Sequence, residues 1–191
     1  AHKKDAKTTY AAITQYFSIF GAFILLFVVV YADVFKQLLI ADEAYWEAMT
    51  IVPIILMANL CLGIYYNLSV WYKITDKTHY GAYISVFGAL LTLGLNFILI
   101  PVISYKGAAM ATLAAYASMM LLSYYFGQKQ YPIPYPLKKI GAYLLVSVLL
   151  SVLSFYVLNR DIRIGTLFLF LFLAMIYAFE RKQLQKLFLK K

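Results

Sequence analysis

The stretch LNFILIPVISYKGAAMATLAAYA, Leu95 to Ala117, decides the fold. It runs apolar to Pro101, shows a single cation at Lys106, and resumes with alanines at Ala108, Ala109, Ala111, Ala114, Ala115 and Ala117. A proline so close to a serine and a lysine marks the end of one helix, because it lacks an N–H and crowds the preceding turn. The connection ISYKG is so short that the helices on either side must be antiparallel neighbours. The small residues that follow are what lets two helices approach where water supplies no driving force, so the reading is a hairpin inside lipid.

The rest of the chain agrees. Of 191 residues 64% are hydrophobic and 13% charged, where an ordinary globular domain carries about 25% charged residues. A bilayer core needs about 20 mostly apolar residues per helix. Six windows meet or approach that length: Ile13 to Tyr31, Ala48 to Trp71, Tyr83 to Ile103, Gly107 to Phe126, Ile140 to Leu158 and a shorter Ile164 to Phe179. None contains Asp, Glu, Lys, Arg or His, and a charge at mid-membrane costs about 2.5 to 3.5 kcal/mol on insertion scales. The expected fold class is therefore all-α, a polytopic integral membrane protein with six transmembrane helices.

The net charge of +9 resolves into topology. Lys3, Lys4, Lys7, Lys73, Lys77, Lys129, Lys138, Lys139, Arg181, Lys182, Lys186, Lys190 and Lys191 fall on one side of the six spans, and only Lys36, Lys106, Arg160 and Arg163 on the other. Cations are retained on the cytoplasmic side, so both termini are expected there. The basic side meets anionic phospholipid headgroups, and no nucleic-acid partner is expected. Tyr31, Trp46, Trp71, Tyr72, Tyr80, Tyr105, Tyr125 and Tyr131 fall near span ends, where an amphipathic ring suits the headgroup layer.

Two basic-side segments have distinct characters. GQKQYPIPYPLKK alternates proline with tyrosine or isoleucine and reads as an extended strap on the membrane surface. ERKQLQKLFLKK sets Leu184, Leu187 and Phe188 at helical spacing opposite Lys182 and Lys186, as a short interfacial helix would. The opening AHKKDAKTTY has neither an initiator Met nor the apolar core of a signal peptide, so the chain reads as the C-terminal part of something longer.

Enzyme signatures are absent. His2 and His79 have no carboxylate or cysteine at ligand spacing, so no metal site is expected. Asp42 suits a helix N-cap, and Glu43 and Glu47 the first turn. Cys61 lies in an apolar run as a buried thiol with no partner for a disulfide. No catalytic residue and no cofactor are expected. Polar groups inside the spans carry more information. Pro53 invites a kink or a helix start, and Asn59, Asn67 and Asn96 must either bond to a neighbouring helix or line a wet cavity. Gly107, Ala111 and Ala115 recur every four residues, as do Ala114 and Ser118, giving the fourth span a small face for close packing.

Several consecutive stretches together resemble a known family. KKDAKTTYA is followed by YWEAMTIVPIILMANLCLGIYYNLSVWYKITDKTHYGAYISVFGALLTLGLNFILIP and then KGAAMATLAAYASMMLLSYYFGQKQYPIP. In that order, over Lys3 to Lys139, they resemble the C-terminal part of the polysaccharide and oligosaccharide (O-antigen type) flippases of the multidrug/oligosaccharidyl-lipid/polysaccharide exporter superfamily. The final helix pair resembles the family in hydropathy only.

The resemblance implies two six-helix lobes set in a V around a central cavity. Residues 1–130 would be the later helices of the C-terminal lobe, 131–139 the proline-rich cytoplasmic strap, and 140–191 an appended pair of helices with a basic tail. It implies a bacterial inner-membrane protein whose N-terminal lobe lies elsewhere in the same polypeptide. Its cargo would be a lipid-linked glycan carried from the inner to the outer leaflet. Asn59, Tyr65, Tyr66, Asn67 and Asn96 would offer hydrogen bonds to sugar in the cavity, whereas the family's charged cavity residues have no counterpart in these spans. The rival readings are an efflux antiporter or lipid-precursor flippase of the same superfamily, a membrane-embedded glycan polymerase or acyltransferase working through Arg160, Asp161 and Arg163, and a non-catalytic scaffold.

Overall fold

The structure is a computed structural model and describes residues 2–188. Among these residues it is all-α, with α1 His2–Val30, α2 Ala32–Leu39, a 3-10 helix Glu43–Ile51, α3 Val52–Leu68, α4 Val70–Ile74, α5 His79–Ile103, α6 Tyr105–Gln130, α7 Leu137–Val152, a π-turn Leu153–Val157 and α8 Ile162–Phe188. Six stretches are long and apolar enough to cross a membrane: Ala6–Val30, Trp46–Ile74, His79–Ile103, Tyr105–Gln130, Leu137–Val157 and Ile162–Arg181. The chain is a multi-pass, all-α membrane protein. Each expected window lies within or almost wholly within one of these stretches.

Local sequence explains where the rods start and stop. Pro53 stands near the start of α3, where its missing N–H would have had no partner; it is a helix start and not a kink. The 3-10 helix leads into it directly after Asp42. Between α5 and α6 the expected SYK turn contracts to one residue. Pro101 lies inside the last turn of α5, and Ser104 alone, at φ 54 and ψ −136, reverses the chain before α6 begins at Tyr105.

Lateral order follows from contacts. α6 packs on both α5 and α3, α3 packs on α1, and α1 packs on α7 and on α8. The bundle is a row, α5–α6–α3–α1–α7, with α8 beside α1 and α7. Leu25 and Val29 of α1 meet Leu60, Ile64 and Leu68 of α3, and Phe155 joins them from the π-turn. Ile19, Ala22 and Leu26 pack with Tyr143, Leu169 and Phe172 across α1, α7 and α8. Tyr65, Ile84 and Met119 join α3, α5 and α6. The small face of α6 is buried as expected, and the four-residue row continues past Gly107, Ala111 and Ala115 to Met119, Ser123 and Gly127.

Two expectations change. The proline strap is extended over 131–136, but it does not lie on the surface throughout. Ile133 is 2% exposed, Gln128 Nε2 donates to its carbonyl at 2.8 Å, and the Tyr135 ring lies tilted against Tyr124 at 6.2 Å between centroids. Lys138 and Lys139 belong to the first turn of α7. The tail is no separate helix either: α8 runs unbroken to Phe188, because nothing between Phe179 and Phe188 is a glycine or proline that would stop it. The side chains of Leu184, Leu187, Phe188, Lys182 and Lys186, and all of Lys190 and Lys191, lie outside what is described.

Candidate functional site

The five residues singled out for a polar cavity do not converge on one point. Asn59, Tyr66 and Asn67 share one face of α3, since offsets of seven and eight residues return to the same side of a helix. Asn59 is exposed and donates through Nδ2 to its own helix, to the Ile55 carbonyl at 2.9 Å. Asn67 is half-buried and does the same to Gly63 at 2.9 Å. Tyr66 is 61% exposed. Neither amide therefore bonds to a neighbouring helix through its nitrogen, and the face they share stands open. Close beside it the Phe17 ring of α1 lies over Gly63, filling the space where a Cβ would stand.

The other two lie elsewhere. Tyr65 is buried, and its hydroxyl faces Tyr72 OH at 3.4 Å and Ser85 Oγ at 3.5 Å, joining α3, α4 and α5. That is a packing role at the end of the bundle that carries both termini. Asn96 of α5 is half-buried, and its Oδ1 has no hydrogen-bond partner. A buried amide oxygen without a donor forfeits stability.

Two apolar crevices separate α7 from α3 and α6. One, of about 260 Å³, is lined by Thr14, Ile64, Met120, Tyr124, Tyr135 and Leu144 among others. The second, of about 170 Å³, is lined by Pro53, Met57, Leu113, Val148 and Tyr156 among others. None of the five candidate residues lines either one.

Sequence reasoning missed a different polar centre. Glu180, the residue just past the sixth charge-free window, is buried among α1, α7 and α8. Lys139 Nζ pairs with it at 2.9 Å, while Gln15 and Tyr143 also donate to it. Its position next to the basic run RKQLQK disguised it as part of a solvated tail. At the opposite end, Arg160 pairs with Asp33 at 3.0 Å and stacks over Phe155 at 4.1 Å, while Tyr105 OH donates to Glu47 at 3.0 Å. Arg160 thus serves to tie the α7–α8 connection to α2. Among the described residues no three His, Cys, Asp or Glu gather where a metal ion could sit. Comparison with protein-family models, with curated proteins and with solved structures finds no match for this chain.

Proposed function

We propose that this chain forms part of one lobe of a transporter that turns a lipid-linked oligosaccharide across the bacterial inner membrane for surface polysaccharide assembly. The supporting observation is the open polar face of α3. An exposed carboxamide at Asn59 and a phenol at Tyr66, 61% exposed, stand on a span apolar enough to cross a membrane. Polar groups facing hydrocarbon are costly, so such a face meets a water-filled cavity or another helical unit. Sugar hydroxyls, which need hydrogen bonds and cannot enter hydrocarbon, fit that surface.

In this reading a second lobe of the same polypeptide stands across the cavity. Rocking of the lobes re-exposes the glycan on the other side while its lipid tail stays in the bilayer. No covalent bond changes and no cofactor takes part. The basic loops hold both termini in the cytoplasm and touch anionic phospholipid. Asn96 Oδ1, buried and unpartnered, is an acceptor that a donor such as a sugar hydroxyl would satisfy.

The test has two arms. Cysteines placed at Asn59, Tyr66 and Asn67, in a Cys61→Ala background, are expected to react with a charged, membrane-impermeant thiol reagent. Asn67→Ala combined with Asn96→Ala is expected to lower surface polysaccharide at unchanged protein level. Unreactive cysteines together with wild-type polysaccharide would remove the reading.

A further inference from the structure

Glu180 is the one carboxylate among the described residues that is almost wholly buried, at 1% exposure. It belongs to the apolar stretch Ile162–Arg181, and its two oxygens are treated very differently. Oε1 accepts from Gln15 Nε2 of α1 at 3.1 Å, and from Lys139 Nζ at 2.9 Å and Tyr143 OH at 3.2 Å, both of α7. Oε2 is also buried and has no hydrogen-bond partner.

A glutamine at this position would accept from the same three donors without bringing a charge into the helix packing. Burying a carboxylate costs far more than burying an amide, even when a counter-ion is present. A retained charge with one oxygen unserved therefore fits a group whose partner changes. An ionisable side chain buried within a membrane span, here in its last turn, is one mark of a substrate or ion pathway.

Lys139 is suited to be the partner that leaves. Its side chain is 40% exposed, so the ammonium reaches the carboxylate from the protein surface. A strongly hydrated ammonium on a flexible stem can return to water without disturbing the packing. Gln15 and Tyr143, at 3.1 and 3.2 Å from Oε1, are then the polar groups left beside the carboxylate, and each can offer an oxygen, Gln15 after rotation of its amide.

We propose that this cluster is an exchangeable site for a small monovalent cation, with Lys139 as the resident charge that the ion displaces. All the donors are hard oxygens, the kind that alkali and alkaline-earth ions take. A single carboxylate, with no gathering of three or more His, Cys, Asp or Glu among the described residues, favours one positive charge over two. The site is separate from the polar face of α3 and does not rest on the flippase reading.

The experiment is thermal unfolding of the full chain in lipid nanodiscs, with sodium chloride compared against choline chloride at equal ionic strength. Sodium is expected to raise the unfolding temperature of the wild type above its value in choline, because an ion bound only to the folded state stabilises it. Glu180→Gln is expected to abolish that increment. Lys139→Met removes the competitor and is expected to lower the sodium concentration for half-effect by about tenfold or more. A wild type indifferent to the choice of cation overturns the proposal, and so does a sodium increment that survives in Glu180→Gln. If Lys139→Met does not fold, Lys139→Arg serves in its place. Its planar fork holds a carboxylate more firmly than an ammonium does, so the half-effect must move to higher sodium. A half-effect that does not move, in whichever of these two variants folds, also overturns the proposal.

Discussion

A methyl group added at position 107 has nowhere to go. An ideal Cβ on Gly107 would lie 2.6 Å from the Leu99 carbonyl oxygen and 2.7 Å from its carbon, both rigid backbone of α5. Gly107→Ala is therefore expected to destabilise the protein by about 1–3 kcal/mol, as overpacking does. Gly141→Ala is the contrasting case. Nothing lies within 4 Å of a Cβ at Gly141, and alanine is the better helix former by up to about 1 kcal/mol, so that variant is expected to be neutral or slightly stabilised. Thermal unfolding in detergent compares the two, and equal losses would contradict the close approach of α5 and α6. Residues of this kind were legible in advance, because small side chains repeated every four positions say which face must be narrow. Glu180 was not legible. Its burial depends on Gln15 and Lys139 arriving from helices far away in sequence, and adjacent basic residues gave it the look of a headgroup-level charge. The open face of Asn59, Tyr66 and Asn67 falls between these cases: their shared side follows from spacing, but which side that is required the neighbours.

At the scale of elements, the strap shows how composition determines conformation without determining location. Proline at 132, 134 and 136 excludes a helix there, and the segment is indeed extended. What composition cannot supply is the side on which Ile133 and Tyr135 fall, and both turn inward. Burial, with Tyr124 close by, pushes the Tyr135 phenol up to about 12 from a usual value near 10. The neutral phenol is thus favoured in the folded strap. Its contribution to stability is fully present below about pH 10, where the unfolded chain is also neutral, and is lost as pH rises from about 10 through about 12. Alkaline titration followed by tyrosinate absorbance is expected to show Tyr135 among the tyrosines that ionise late, together with loosening of the strap. Tyr135→Phe should lower the late amplitude by one tyrosine and keep the strap docked at higher pH. A Tyr135→Phe titration identical to that of wild type would contradict the burial. Ser104 is a second element-scale case. At φ 54 and ψ −136 it holds a conformation that essentially only glycine adopts without strain. Ser104→Gly is expected to stabilise the hairpin by about 1 kcal/mol, less the entropy that glycine brings to the unfolded chain. An unfolding temperature lowered by the substitution would argue against a one-residue reversal.

For the whole molecule, the number of the spans was legible from hydropathy, while their lateral order was not. Lipid tails are as apolar as leucine, so no hydrophobic force selects neighbours within the membrane, and shape and a few polar bonds decide. Consecutive helices usually pack together, which holds for α5 with α6 but not for α6 with α7. The strap carries the chain past α6, and α7 settles on α1, where Ser147 Oγ donates to the Ala22 carbonyl at 2.6 Å. That contact makes α1 the member shared by the α3–α6–α5 side and the α7–α8 pair, and it positions Gln15 within reach of Glu180. The order can be tested without any assumption about function. Ala22→Cys and Ser147→Cys stand at buried positions on facing helices already joined by that 2.6 Å bond, and a disulfide needs such close approach. In a Cys61→Ala background, mild oxidation in the membrane is expected to link a peptide of α1 to a peptide of α7 within a single chain, detectable by mass spectrometry after proteolysis. If α7 instead packed beside its sequence neighbour α6, residue 147 would face away from α1. The link would then fail to form while both thiols stayed reduced, and the row α5–α6–α3–α1–α7 would have to be redrawn with α1 at its edge.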